Sequence, residues 1–152
     1  MKSNQTLAKL FRPTSYKLTL LAAKGDSDAE GLISVTGHKA GPPSRRLVFN
    51  QKNLKVTHAE IHAHTKKGDH DIDVSRINHH RTFEQVRLHA DETLYPGDYT
   101  VTMTFIVKPP ANSEKPQIIK AAFDGGEPIR EFFPSIDEPE ARPGVSLDIA
   151  TE

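Results

Sequence analysis

The chain has 152 residues, 20 basic against 20 acidic side chains, and neither cysteine nor tryptophan. That length suits one domain over residues 1–152, with enough chain to bury a core. Balanced charge removes the electrostatic case for nucleic acid or an anionic membrane as partner. The absence of cysteine excludes disulfides, cysteine-ligated zinc, iron–sulfur clusters and thiol catalysis.

The segment Met1 to Leu7 carries one lysine and no apolar stretch, so it does not read as a signal peptide. No apolar run approaches bilayer length, and a cytoplasmic location is the default expectation. Asn4–Phe11 offers at most one helical turn. From there the chain reads as β-structure, in short runs that alternate with period two. Tyr16–Leu20 is the first run, and Leu32–Thr36 follows the turn-rich Gly25–Glu30. Arg46–Phe49 stands behind Gly41-Pro42-Pro43, and then come Leu54–His64, Asp71–Val74 and Phe83–Leu88. The clearest run is Tyr99–Val107, with Tyr99, Val101, Met103, Phe105 and Val107 on one face and threonines on the other. Pro96-Gly97 before it is a turn signal. Pro109–Pro116 reads as a proline-rich loop, with too little chain after it for a second core. No window sustains a helical apolar period. Short strands separated by turns predict an all-β fold, an antiparallel two-sheet sandwich.

Three features have the residue types that chemistry needs. His58, His62 and His64 share one parity of the Leu54–His64 run, opposite Thr57, Ala59, Ile61 and Ala63. Residues two apart on a strand face the same way, so His62 and His64 can approach one metal ion, with His89 as a third ligand if its strand pairs with theirs. The other reading is a solvated histidine face without a ligand. His58 and His62 do not make a zincin motif, because that motif needs Glu directly after the first His and a helix to present both. The second feature is the carboxylate group Asp137, Glu138 and Glu140. It suits general acid–base work or, with Pro139, plain turn chemistry. The third is the threonine face of Tyr99–Val107, which reads as the solvent side of a half-buried strand. A phosphate-cradling glycine loop, a G-x-S-x-G elbow and a basic–aromatic stripe are all absent from the sequence.

Three blocks, in order along nearly the whole chain, resemble a known module. Phe11-Arg12-Pro13-Thr14-Ser15-Tyr16-Lys17-Leu18-Thr19-Leu20 resembles the opening of the N-terminal β-domain of zinc aminopeptidases of the aminopeptidase N type. Leu94-Tyr95-Pro96-Gly97-Asp98-Tyr99 is similar to that family's Leu-x-x-Gly-x-Tyr strand start. Arg130-Glu131-Phe132-Phe133-Pro134-Ser135-Ile136-Asp137-Glu138-Pro139 is similar to its Arg-x-x-Phe-Pro-x-x-Asp-Glu-Pro signature, followed by the alternating Val145–Ile149. The resemblance implies a saddle-like β-domain in which Arg130, Phe133, Pro134, Asp137, Glu138 and Pro139 are structural. It further implies a non-catalytic role, packing on the catalytic domain of a parent enzyme and bordering the site for the substrate's amino terminus. Zinc is then expected in that other domain and no cofactor in this chain, which has no H-E-x-x-H.

The sequence departs from the family where substrate would be met. Counting back from Arg130, Phe123 and Gly125 stand where the family has residues that bind the substrate amine, and Glu127 substitutes only if the loop is re-registered. A different expectation is a free-standing β-sandwich that binds a protein or peptide along a sheet edge or face, or a divalent metal through surface histidines. Unpaired strand edges would invite a homodimer.

Overall fold

The computed structural model describes residues 7–21, 29–107, 116–130, 132–138, 141 and 144–151. After a 3-10 turn at Leu7–Lys9 come β1 (Phe11–Leu21), β2 (Ala29–Lys39), β3 (Ser44–Asn50), β4 (Leu54–Thr65), β5 (Gly68–Ile72), β6 (Val74–His80), β7 (Gln85–Leu94) and β8 (Gly97–Val107). A helix, α1 (Pro116–Asp124), and a last strand, β9 (Ser146–Thr151), follow. They form a six-stranded sheet, ordered β5-β4-β8-β2-β1-β9, and a three-stranded sheet, ordered β3-β7-β6. The two inner faces bury one contiguous hydrophobic core, as the alternation predicts for a sandwich.

β8 sits inside the larger sheet, and its odd residues Tyr99, Val101, Met103 and Phe105 are all buried. Its threonines lie half-buried on the outer face. Phe105 faces Gly31 across the β2–β8 ladder, and a methyl group at Gly31 would stand 2.5 Å from the phenyl ring. The glycine makes room for the aromatic side chain. Gly37 is as tight, and against backbone: a Cβ there would meet the Arg12 carbonyl oxygen at 2.5 Å.

Two strands change phase in mid-course. In β1, Phe11 and Pro13 are buried at odd positions, but after a bulge between Pro13 and Ser15 the buried residues are Tyr16, Leu18 and Leu20. In β4, Leu54 and Val56 are buried, then Ala59, Ile61 and Ala63, with the register shift between Val56 and His58. One extra residue turns every following side chain over. Thr57, grouped by parity with Ala59 and Ile61, is therefore exposed.

The structure corrects the sequence reading in four further places. Asp71–Val74 is not one strand: Asp73 separates β5 from β6 and takes the chain from one sheet to the other. The Phe83–Leu88 run starts as strand only at Gln85, because Arg81–Glu84 is a turn in which Glu84 has a φ of 53°. The helix α1 was not expected. Pro116 begins it, where a missing N–H matters least, and Ile119 and Phe123, four apart, bury its inner face. Nine residues are too few for a recognisable helical period. Finally, β9 runs parallel to β1, in a sheet otherwise antiparallel. The proline-rich loop Pro109–Pro116 lies outside the described residues except for Pro116. No helix among the described residues is long and apolar enough to cross a membrane.

Candidate functional site

β4 presents its histidines on the outer face of the larger sheet, His62 and His64 each opposite an acid of β5 and His58 beside Glu60 on β4 itself. His62 pairs with Asp71 and His64 with Asp69 in the ladder, and the side chains meet as well. The His62 Nδ1 lies 2.5 Å from the Asp71 carboxylate, while His64 has Asp69 at 3.3 Å and the Thr100 hydroxyl at 2.8 Å. His58 pairs with Glu60 at 3.0 Å. Glu60 also approaches the His62 Nε2 at 3.6 Å, so it stands between two imidazoles, and each ring has a carboxylate beside it. The described residues contain no group of three or more side chains of the metal-ligating types that could hold an ion. His89 does not join them: its strand, β7, pairs with β3 and β6 in the other sheet.

The segment from Ile129 to Glu138 is built differently, as a clamp with its polar groups turned inward. Phe133 and Pro134 are buried, and Phe133 lies edge-on to Tyr16 with ring centroids 5.4 Å apart. Asp137 accepts hydrogen bonds from the backbone N–H of Ile129 (3.0 Å) and of Arg130 (3.1 Å), and from the Arg130 Nε (3.0 Å). Arg130 reaches on to Glu84 at 3.0 Å. The Asp137 N–H donates to the Asn50 side chain, Asn50 and Ser135 exchange backbone bonds, and the Ile136 N–H donates to the Tyr16 hydroxyl. Glu138 caps the 3-10 turn, accepting from the N–H groups of Leu7 (2.7 Å) and Ala8 (2.9 Å). Pro139 and Glu140 lie outside the described residues. The two described carboxylates of this group thus meet backbone donors, and an unpaired buried N–H is costly enough to need them.

Near this clamp, Phe123 packs edge-on to Tyr16 at 6.0 Å, so the position compared with an amine-binding residue belongs to the core. Glu127 is exposed beyond α1, its N–H bonded to the Ala122 carbonyl at 2.9 Å.

A third arrangement escaped sequence reasoning. β5 covers β4 only from Ile61 to Thr65, so Leu54–Glu60 has no ladder partner on that side among the described residues. β6 lies across from this bare stretch and, among the described strands, pairs only with β7. Between them runs a groove of about 660 Å³, lined by Lys55–Ala59 of β4 and by Val74–Ile77 and His79 of β6. Its one hydrogen-bonded crossing among the described residues is the Val56 N–H, which donates to the His79 Nε2 at 3.0 Å. That bond requires an unprotonated Nε2. Burial, then the charge of Lys55, lowers the His79 pKa and holds the ring neutral.

Arginines gather on the outer face of the smaller sheet, beside the groove. The ladders set Arg46 of β3 and Arg76 of β6 on either side of His89, with Arg87 two residues along β7. None of the three has a carboxylate partner among the described residues. Burial, then Arg76, Arg46 and Arg87 in turn, lowers the pKa of His89, whose Nε2 is held by the Asn78 amide at 3.1 Å. Carboxylate–imidazole pairs thus gather on the outer face of the larger sheet, and three arginines on that of the smaller one.

These features define an all-β sandwich domain with a polar clamp, a histidine–carboxylate face and a basic seam. No protein-family model matches the chain, and no curated protein sequence matches it.

Proposed function

We propose that the chain is a non-catalytic β-sandwich domain of the kind that opens zinc aminopeptidases, acting as a scaffold for a separate catalytic unit. The supporting observation is the clamp. Arg130, Asp137 and Glu138, which carry the resemblance to that family, spend their polar atoms on each other, on Glu84 and on backbone N–H groups. Groups bonded in this way hold strands together and have no free acid or base to offer a substrate. The amine-recognition function is not retained in this reading, since Phe123 is a core residue. Zinc chemistry belongs to the catalytic domain that such a scaffold would support.

Two measurements test this. Purified protein supplied with zinc is expected to release no chromophore from aminoacyl p-nitroanilides above the buffer rate, and turnover by this chain would overturn the reading. The coding frame beyond Glu152 supplies the other. An H-E-x-x-H with a downstream glutamate supports the scaffold role, and an immediate stop codon points instead to a free-standing binding module.

A further inference from the structure

We infer that the seam between β4 and β6 receives an extended acidic peptide, which adds as a strand between the two sheets. Three observations lead there. First, two strand edges without ladder partners among the described residues face each other across one groove, the Leu54–Glu60 part of β4 and the outer side of β6. Unpaired edges are templates for another chain, and an added strand gains affinity from main-chain hydrogen bonds. Second, the two strands are joined there through an imidazole and not through their backbones: His79 satisfies the Val56 N–H in place of a strand carbonyl. Third, the lining is basic. Lys55 and Arg76 carry charge, the ring nitrogens are those of His79 and of His58, which Glu60 at the end of the edge holds at 3.0 Å, and none of the described lining residues is a carboxylate. Arg46 and Arg87 extend the positive field beyond Arg76.

The occupant follows from this chemistry. Period-two alternation gives an extended segment two faces. Glutamates on one face meet Arg76 and Lys55, where guanidinium geometry favours a carboxylate fork. Small apolar residues on the other meet Val56, Ala59, Val74 and Ile77. About six residues, roughly 20 Å at the usual rise, match the length of β6. The His79 ring must swing aside or exchange its bond as the peptide enters.

The test is a titration of the full chain with a labelled, end-capped hexapeptide alternating glutamate and valine, read by fluorescence anisotropy at low salt. Two probes run beside it, the same peptide with lysine for glutamate and a single-stranded oligothymidylate. Saturable binding of the acidic peptide is expected, with slowed amide exchange in β6 and the first half of β4. The Lys55→Glu/Arg76→Glu double variant is expected to weaken it at least tenfold. Both side chains are exposed, and an unchanged circular dichroism spectrum and urea midpoint establish that the variant folds. The inference is overturned by no saturation at millimolar peptide, by equal binding of the lysine peptide, or by tighter binding of the oligonucleotide. Full affinity in the double variant, or protection confined to other strands, would also overturn it. Failure here leaves the scaffold reading intact, since that stands on the peptidase assay and the coding frame.

Discussion

Asp137 gathers more of the chain than any sequence pattern announces. Its side chain is only 3% exposed, yet it serves two backbone donors and a guanidinium, while its own N–H is held by Asn50. Replacing it with alanine leaves two N–H groups without their acceptor, while Arg130 keeps Glu84 and the backbone carbonyl of residue 137. Loss of one partner of a buried charged pair is expensive, so Asp137→Ala should lower unfolding free energy by roughly 3 kcal/mol, read from urea denaturation. Asp137→Asn, which keeps an acceptor oxygen, should lose less. The residues Arg130, Phe133, Pro134 and Asp137 were legible in the sequence because they stand close together in a compact pattern. Their partners were not. Asn50 lies 87 positions before Asp137 and Tyr16 lies 120 before Ile136, and no local pattern records a pairing so distant.

At the scale of elements, alternation made most strands legible, and what it missed has a common cause. A bulge adds one residue and reverses the phase, as in β1 and β4, so a parity assigned along the whole run misplaces Thr57. β6 lacks clean alternation because its inner-facing residues include His79, which is turned to the seam rather than to the core. This residue also carries a pH dependence. Its pKa is lowered below 6.5 in the folded protein, by burial and then by Lys55, so the unfolded chain binds the proton more readily. Stability therefore rises with pH across that interval. The contribution is whole above about pH 6.5 and is lost as pH falls through the folded value, when protonation breaks the bond from Val56. Because the residue is largely exposed, the effect is small. Unfolding midpoints at pH 7 and pH 5 should differ more for the wild type than for His79→Gln, whose amide oxygen accepts from Val56 without titrating.

For the whole molecule, one core decides the cooperativity. The inner residues of both sheets, α1 and the clamp belong to one cluster, so no part has a separate interior. Unfolding should then be a single transition. Tyrosine fluorescence, which includes Tyr16 between Phe123 and Phe133, and far-ultraviolet circular dichroism should give coincident urea curves. Separate midpoints would show that the smaller sheet melts alone. The sandwich could be anticipated because strand periodicity depends on burial, which is written residue by residue. The grouping of the arginines on one outer face could not, since it depends on which strands become neighbours. Arg46, Arg76 and Arg87 are scattered along the chain and become one row only through β7.

The parallel pairing of β9 with β1 also governs the order of events in folding. Glu138 caps a turn 131 residues before it, and β9 then lies along β1, so the first described strand is paired on one edge by the last described one. Closing so long a loop is slow, since the entropy is lost before the contacts form. A nascent chain at the ribosome would hold β1 on β2 with its other edge bare until β9 has emerged. The vulnerable species is therefore the chain before β9 docks, with strands made and one sheet still open to the wrong neighbour.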